Sequence, residues 1–203
     1  MEIVCLDLEG VLVPEIWVNF ADLTGIKELR ATTRDVPDYD ELMRMRLDIL
    51  QREGLGLPDI EQVIAKLRPL SGAPEFVASL RERYQLVILS DTFYEFARPL
   101  MQQLAWPTLF CHRLGVADDG RITDYHLRMQ DHKRAAVTAF RGLNFRTVAA
   151  GDSYNDTRML AEADKGILFC PPQRVIDEFP QYPVTRDYVA LRRAIDQGFA
   201  ATA

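Results

Sequence analysis

The apolar run Ile3-Val4-Cys5-Leu6 stops at Asp7, resumes for one residue at Leu8, and then meets Glu9 and Gly10. A short aliphatic run of this kind fits a strand covered on both faces, because a half-solvated strand would alternate polar and apolar residues. The pattern recurs. Leu86-Val87-Ile88-Leu89 leads into Ser90, Asp91 and Thr92, and Thr147-Val148-Ala149-Ala150 leads into Gly151-Asp152-Ser153-Tyr154-Asn155-Asp156. A fourth strand reads from Gly166 to Phe169. Helical stretches separate these runs, at residues 73–84, 94–104 and 133–143, around Met159 and Leu160, and in short pieces after Pro172 and Asp187. Pro99 lies inside the second and is expected to kink or restart it. Residues 108–129 alternate around Asp119-Gly120, a good turn pair for a β-hairpin.

Strands alternating with helices through right-handed crossovers predict an α/β fold with a doubly wound, mostly parallel sheet. In such sheets ligands sit in the crevice beyond the carboxyl ends of the strands. Three polar strand ends would then converge, bringing together Asp7 and Glu9, Ser90 and Asp91, and Asp152 and Asp156, with Lys133 available from a helix start. Taken one fragment at a time, a plain strand-to-turn exit explains each as well, since Asp, Ser and Gly are common turn formers.

Pro14 breaks the first pattern, and residues 14–70 show helical periodicity without a convincing strand, so they read as a helical unit inserted into a core made of residues 1–13 and 71–203. Its best helix runs from Asp40 to Glu53, with Leu42, Met43, Met45, Leu47, Ile49 and Leu50 on one broad arc. Arg46 projects into the middle of that arc, while Arg44 and Asp48 fall on the solvated face. An inward arginine requires an anion, either an internal carboxylate or a ligand. A second helix follows Pro58, with Asp59 as its expected N-cap.

Composition narrows the function. The 203 residues are 48% hydrophobic, enough for a full core, and carry a formal charge of -6. No basic stripe is present, which argues against a nucleic-acid partner. Cys5, Cys111 and Cys170 have no paired or metal-binding spacing and read as reduced thiols. No apolar run is long enough to cross a bilayer, and the start lacks a cleavable leader pattern, so a soluble cytoplasmic protein without a membrane partner is expected.

Carboxylates crowded at one point repel, and a divalent cation resolves the repulsion. All-oxygen ligands suit Mg2+, and the three histidines are scattered in sequence, so zinc is not expected. Lys133 and the Ser90 hydroxyl provide a point charge and a donor for a phosphoryl group. The economical chemistry is attack by Asp7 on a phosphate ester to form an aspartyl-phosphate, with Glu9 protonating the leaving alkoxide and later deprotonating the acceptor. A non-catalytic phosphorylation sensor shares this acidic cluster, hydroxyl and lysine, but has no need of the helical insertion.

Asp7-Leu8-Glu9-Gly10-Val11, Ser90, Lys133 and Gly151-Asp152-Ser153-Tyr154-Asn155-Asp156 resemble the four motifs of the haloacid dehalogenase superfamily of phosphohydrolases. The insertion resembles the helical cap of its phosphoserine phosphatase branch. The resemblance implies a Rossmann-type core, Asp7 as nucleophile and Glu9 as acid/base. It further implies Ser90, Asp91 and Lys133 around the phosphate, and Asp7, Asp152 and the Glu9 carbonyl on Mg2+ with Asp156 in support. Within the cap it places Glu15 at the substrate amino group and Arg46 at the substrate carboxylate, with Asn155 also on the substrate. Two departures stand out: Glu9 where most relatives carry Asp, and Asp91-Thr92 where the branch usually carries glycines. The combination with SDTFYEF resembles bacterial phosphoserine phosphatases that also transfer phosphate from phosphoserine to homoserine. Another small phosphomonoester remains an alternative substrate, and the oligomeric state is open, a homodimer included.

Overall fold

The computed structural model describes residues 1–32, 35, 36 and 38–200. Seven strands form one sheet in the order β4-β3-β2-β1-β5-β6-β7. β1 (Glu2–Leu6) pairs in parallel with β2 (Gln85–Phe93) on one side and with β5 (Arg146–Gly151) on the other. β6 (Lys165–Phe169) and the two-residue β7 (Val184–Thr185) extend the sheet in parallel beyond β5. β3 (Thr108–Val116) runs parallel to β2, and β4 (Ile122–His126) turns back antiparallel to β3. The hairpin read from the Asp119-Gly120 turn therefore lends its first strand to the main sheet.

The unbroken apolar runs have a direct structural cause. Val4, Leu6, Ile88, Val148 and Ile167 face one apolar layer, and Ile3, Cys5, Val87, Leu89, Ala149 and Leu168 face another. The first layer is closed by α4 (Ala73–Arg81), α5 (Tyr94–Gln103) and α9 (Tyr188–Ala200), the second by α6 (His132–Gly142), α7 (Thr157–Glu162) and α8 (Gln173–Glu178). With helices on both sides, β1, β2, β5 and β6 have little strand face left to be polar.

Among the described residues, three α-helices lie between β1 and α4, namely α1 (Ile16–Thr24), α2 (Tyr39–Glu53) and α3 (Leu57–Ile64), with a 3-10 turn at Lys27–Arg30. Their Phe20, Met43, Leu50, Ile60 and Ile64 belong to the same apolar layer as Leu6 and Ile88. The start of α3 is also tied to the hairpin, where the Leu57 N–H donates to the Gly120 carbonyl at 2.8 Å.

Several local expectations are corrected. Asp59 is not the N-cap of α3. The helix starts two residues earlier, and Asp59 reaches back from its first turn to accept the Gly56 N–H at 2.8 Å. Pro58 permits this, because a first-turn residue needs no N–H donor. Strand β2 does not end at Leu89 but continues through Ser90, Asp91 and Thr92 to buried Phe93, with an irregular pairing against β3 between Leu89 and Phe93. α5 runs through Pro99, carried by buried Phe96, Ala97, Leu100 and Met101 on either side of it. The last helix is long, because Leu191, Ile195 and Phe199 recur at four-residue spacing and bury one face.

Candidate active site

Adjacent strands β1 and β5 run in parallel while the chain leaves β1 toward the β2 side, so a topological switch point opens at their carboxyl ends. Asp7 is the first residue past β1, and its N–H still donates to the Ala150 carbonyl at 3.0 Å. The chain then folds into a tight turn in which the Gly10 N–H donates to the Val13 carbonyl and the Val13 N–H to that of Leu8. Gly10 has φ +78°, and a Cβ there would lie 2.6 Å from Asp152 Oδ2. Glycine thus serves both the turn and the approach of the Asp152 carboxylate.

Lys133, the second residue of α6, is 3% exposed. Its Nζ donates to Asp7 Oδ1 at 2.9 Å and to Asp156 Oδ1 at 2.8 Å, and stands 3.1 Å from Asp91 Oδ2. Asp156 is fully buried, and its other oxygen accepts the N–H groups of Asp152 at 3.0 Å and Ser153 at 3.2 Å. Burial pushes the Asp7 carboxyl well above its ordinary range, with repulsion from Asp156 and Asp152 adding and Lys133 opposing. Burial would also neutralise Lys133, but Asp156, Asp7 and Asp91 hold its ammonium well above the ordinary value. This local excess of negative charge is what a cation would relieve.

Oxygen atoms of Asp7, Asp152 and Asp156 lie within 4.8 Å of one another. The donor set is hard oxygen throughout and fits Mg2+. Both Asp156 oxygens already serve Lys133 and the backbone, so Asp7 and Asp152 are the side chains that could hold the ion while Asp156 braces them. Glu9 turns the other way: its Oε2 accepts the Ile16 N–H at 2.8 Å, at the start of α1. Burial, then the neighbouring Glu15, raises the Glu9 carboxyl to about 7, where a proton can move in either direction.

The remaining expected residues line one cavity of about 930 Å³ together with Asp7, Glu9, Lys133 and Asp152. Ser90 is buried, and its Oγ accepts the Thr92 N–H at 3.3 Å, which leaves its own proton to donate. Arg46 is 6% exposed, lies 4.5 Å above the Trp17 ring, and gives one terminal N–H to the Ala31 carbonyl. Its Nε has no hydrogen-bond partner among the described residues. Glu15 lines the cavity just ahead of α1. Asn155 is exposed, and its amide donates to Asp91 Oδ2 at 2.8 Å.

Among the lining residues that carried no signal of their own in the sequence are Trp17, Tyr39, His112 and His132. The histidines looked scattered, yet their rings lie 4.5 Å apart against Asp91. His132 directly precedes Lys133 and was the more readable of the two. His112 reaches the site only because β3 joins the sheet beside β2. Tyr39 donates its hydroxyl to the Asp91 carbonyl at 2.9 Å.

Residues 1–164 match the haloacid dehalogenase-like hydrolase family. The chain belongs to that family. Among relatives of this hydrolase, it is 62% identical to the Pseudomonas aeruginosa protein named phosphoserine phosphatase ThrH, over 95% of this chain and 94% of the relative. It is 61% identical to a phosphoserine phosphatase of Pseudomonas syringae pv. tomato, over 95% of this chain and 81% of that one. Its fold also matches an apo phosphoserine phosphatase crystal structure with a TM-score of 0.76 at 23% identity, covering 96% of this chain and 98% of the other. Among the described residues, no helix is long and apolar enough to cross a membrane.

Proposed function

We propose that this hydrolase is a Mg2+-dependent phosphoserine phosphatase, acting in the cytoplasm through an aspartyl-phosphate on Asp7 and also passing the phosphoryl group from phosphoserine to homoserine. The observation that carries this reading is the sharing of one cavity by two unlike halves. One half is the cluster of Asp7, Lys133 and Asp152, suited to a phosphoryl group. The other is Arg46 with an unused buried N–H and Glu15 beside it, an opposed charge pair suited to an α-carboxylate and an α-amino group. The highly identical relatives bear the name phosphoserine phosphatase, and a fold neighbour is described as a phospho-aspartyl intermediate analogue of phosphoserine phosphatase.

In this reading residues 14–70 form the cap over the core. Lys133 orients Asp7 through Oδ1, so Oδ2 is the atom that attacks phosphorus. The bond to the serine oxygen breaks, and Glu9 gives that oxygen its proton. Glu9, now a carboxylate, takes the proton of the incoming hydroxyl as its oxygen attacks phosphorus and releases Asp7. Water yields serine and phosphate, and homoserine yields phosphohomoserine. Ser90 and Lys133 hold phosphoryl oxygens meanwhile, and Asn155 lies at the substrate side. Asp7, Asp152 and the Glu9 carbonyl are the groups that would hold Mg2+, which would supply neutralisation of phosphoryl charge.

The deciding experiment incubates the purified protein with Mg2+, phosphoserine and homoserine and quantifies free phosphate and phosphohomoserine together. Both products are expected. Phosphate alone would remove the transfer activity, and neither product would overturn the substrate assignment.

A further inference from the structure

Asp91 stands where its side chain can contend with the ligand. The His112 Nδ1 accepts the Arg128 N–H at 3.2 Å, so the proton of that ring is on Nε2, which faces Asp91 Oδ1 at 3.7 Å. His132 Nε2 lies 3.1 Å from the same oxygen, and a donor there is the tautomer a carboxylate selects. In these tautomers both Nε2–H groups face Asp91 Oδ1. On the other oxygen, Asn155 donates at 2.8 Å and the Lys133 ammonium stands at 3.1 Å. Lys133 donates hydrogen bonds to Asp7 and Asp156 and forms an ion pair with Asp91.

We propose that Asp91 is a positioning residue that sets how loosely this site holds a phosphoryl group: its carboxylate pairs with the Lys133 ammonium and accepts the Asn155 amide, and a phosphoryl oxygen must compete for both. His132 hydrogen-bonds Asp91 Oδ1 and His112 flanks it, so the carboxylate is held in place and its charge stays beside the incoming dianion. A phosphate ester offsets this cost through contacts at its far end, whereas inorganic phosphate has no far end and leaves quickly. This inference rests on the phosphoryl site proposed above.

The test measures binding of inorganic phosphate by calorimetry with saturating Mg2+, for the parent and for Asp91→Asn and Asp91→Ser, beside phosphoserine turnover by each. Removing one carboxylate charge about 3 Å from the shared lysine is expected to lower the Kd for phosphate about tenfold in both variants. A role confined to supporting the fold would loosen phosphate instead. An unchanged or raised Kd in Asp91→Asn, with thermal stability retained, overturns the proposal; if that variant is unstable, the same result in folded Asp91→Ser does so. Absence of phosphoserine turnover by the parent would sink the substrate assignment separately, while the phosphate Kd values still decide the role of Asp91.

Discussion

Replacing Asp7 by asparagine is expected to stop phosphate release from phosphoserine and, in the metal-free protein, to make the fold more stable. At an effective dielectric near 20, attraction between Asp7 and Lys133 at 2.9 Å is worth about 6 kcal/mol. Repulsion from Asp152 and Asp156, taken at the 4.8 Å upper limit of their separations, costs about 3.5 kcal/mol each. Charge alone therefore disfavours the Asp7 anion by about 1 kcal/mol, and burial increases that figure. Asp7→Asn keeps the shape and leaves Lys133 paired with Asp156 and Asp91, so a gain of about 1–3 kcal/mol is expected. In urea with a chelator present, 2 kcal/mol moves the midpoint by about 1 M for a slope of about 2 kcal/mol/M. The pH dependence follows from the raised Asp7 value. The folded state binds this proton more tightly than the unfolded one, so the parent loses stability as pH rises from near 3.8 through the folded value, and the variant does not. The gap between them should close below that range. Added Mg2+ should stabilise the parent more than the variant, since it binds where the charge was removed. A variant less stable than the parent in chelator at neutral pH, or a gap independent of pH, would refute the electrostatic reasoning.

Two further outcomes are expected. Arg46→Ala should raise KM for phosphoserine by about 10–100-fold while changing far less the KM of a phosphate ester that lacks a carboxylate, the range expected for loss of one charge-assisted pair. Equal losses on both esters would remove Arg46 from recognition. For Glu9, kcat/KM should fall as pH rises through about 7, because departure of the serine oxygen needs the protonated acid, and Glu9→Gln should lose that limb. A limb near the same pH in the variant would assign it to another group.

The readable part of the fold was the part with a strong local signal. Three apolar runs ending at Asp7, Ser90 and Gly151 announce strands sealed on both faces, and strand β7 escaped notice because two residues carry no periodicity. Asp7, Lys133, Asp152 and Asp156 were legible as a group because each lies at a strand end or helix start, and the structure gathers them at one point. The inward projection of Arg46 also followed from its position on α2. The extension of β2 through Asp91 was not legible, since Ser-Asp-Thr reads locally as an exit and only pairing of Phe93 with His112 continues the strand.

Local chemistry along the chain determined which residues could be buried, which elements they form, and which side chains stand at the ends of those elements. Tertiary structure alone decided that the Lys133 ammonium pairs with Asp7, Asp156 and Asp91, and that two histidines flank one carboxylate. The physical reason is range: burial and periodicity are summed over neighbours a few residues apart, whereas the contacts of His132 and Lys133 join residues from 23 to 126 positions apart that only the packing of sheet and helices brings together.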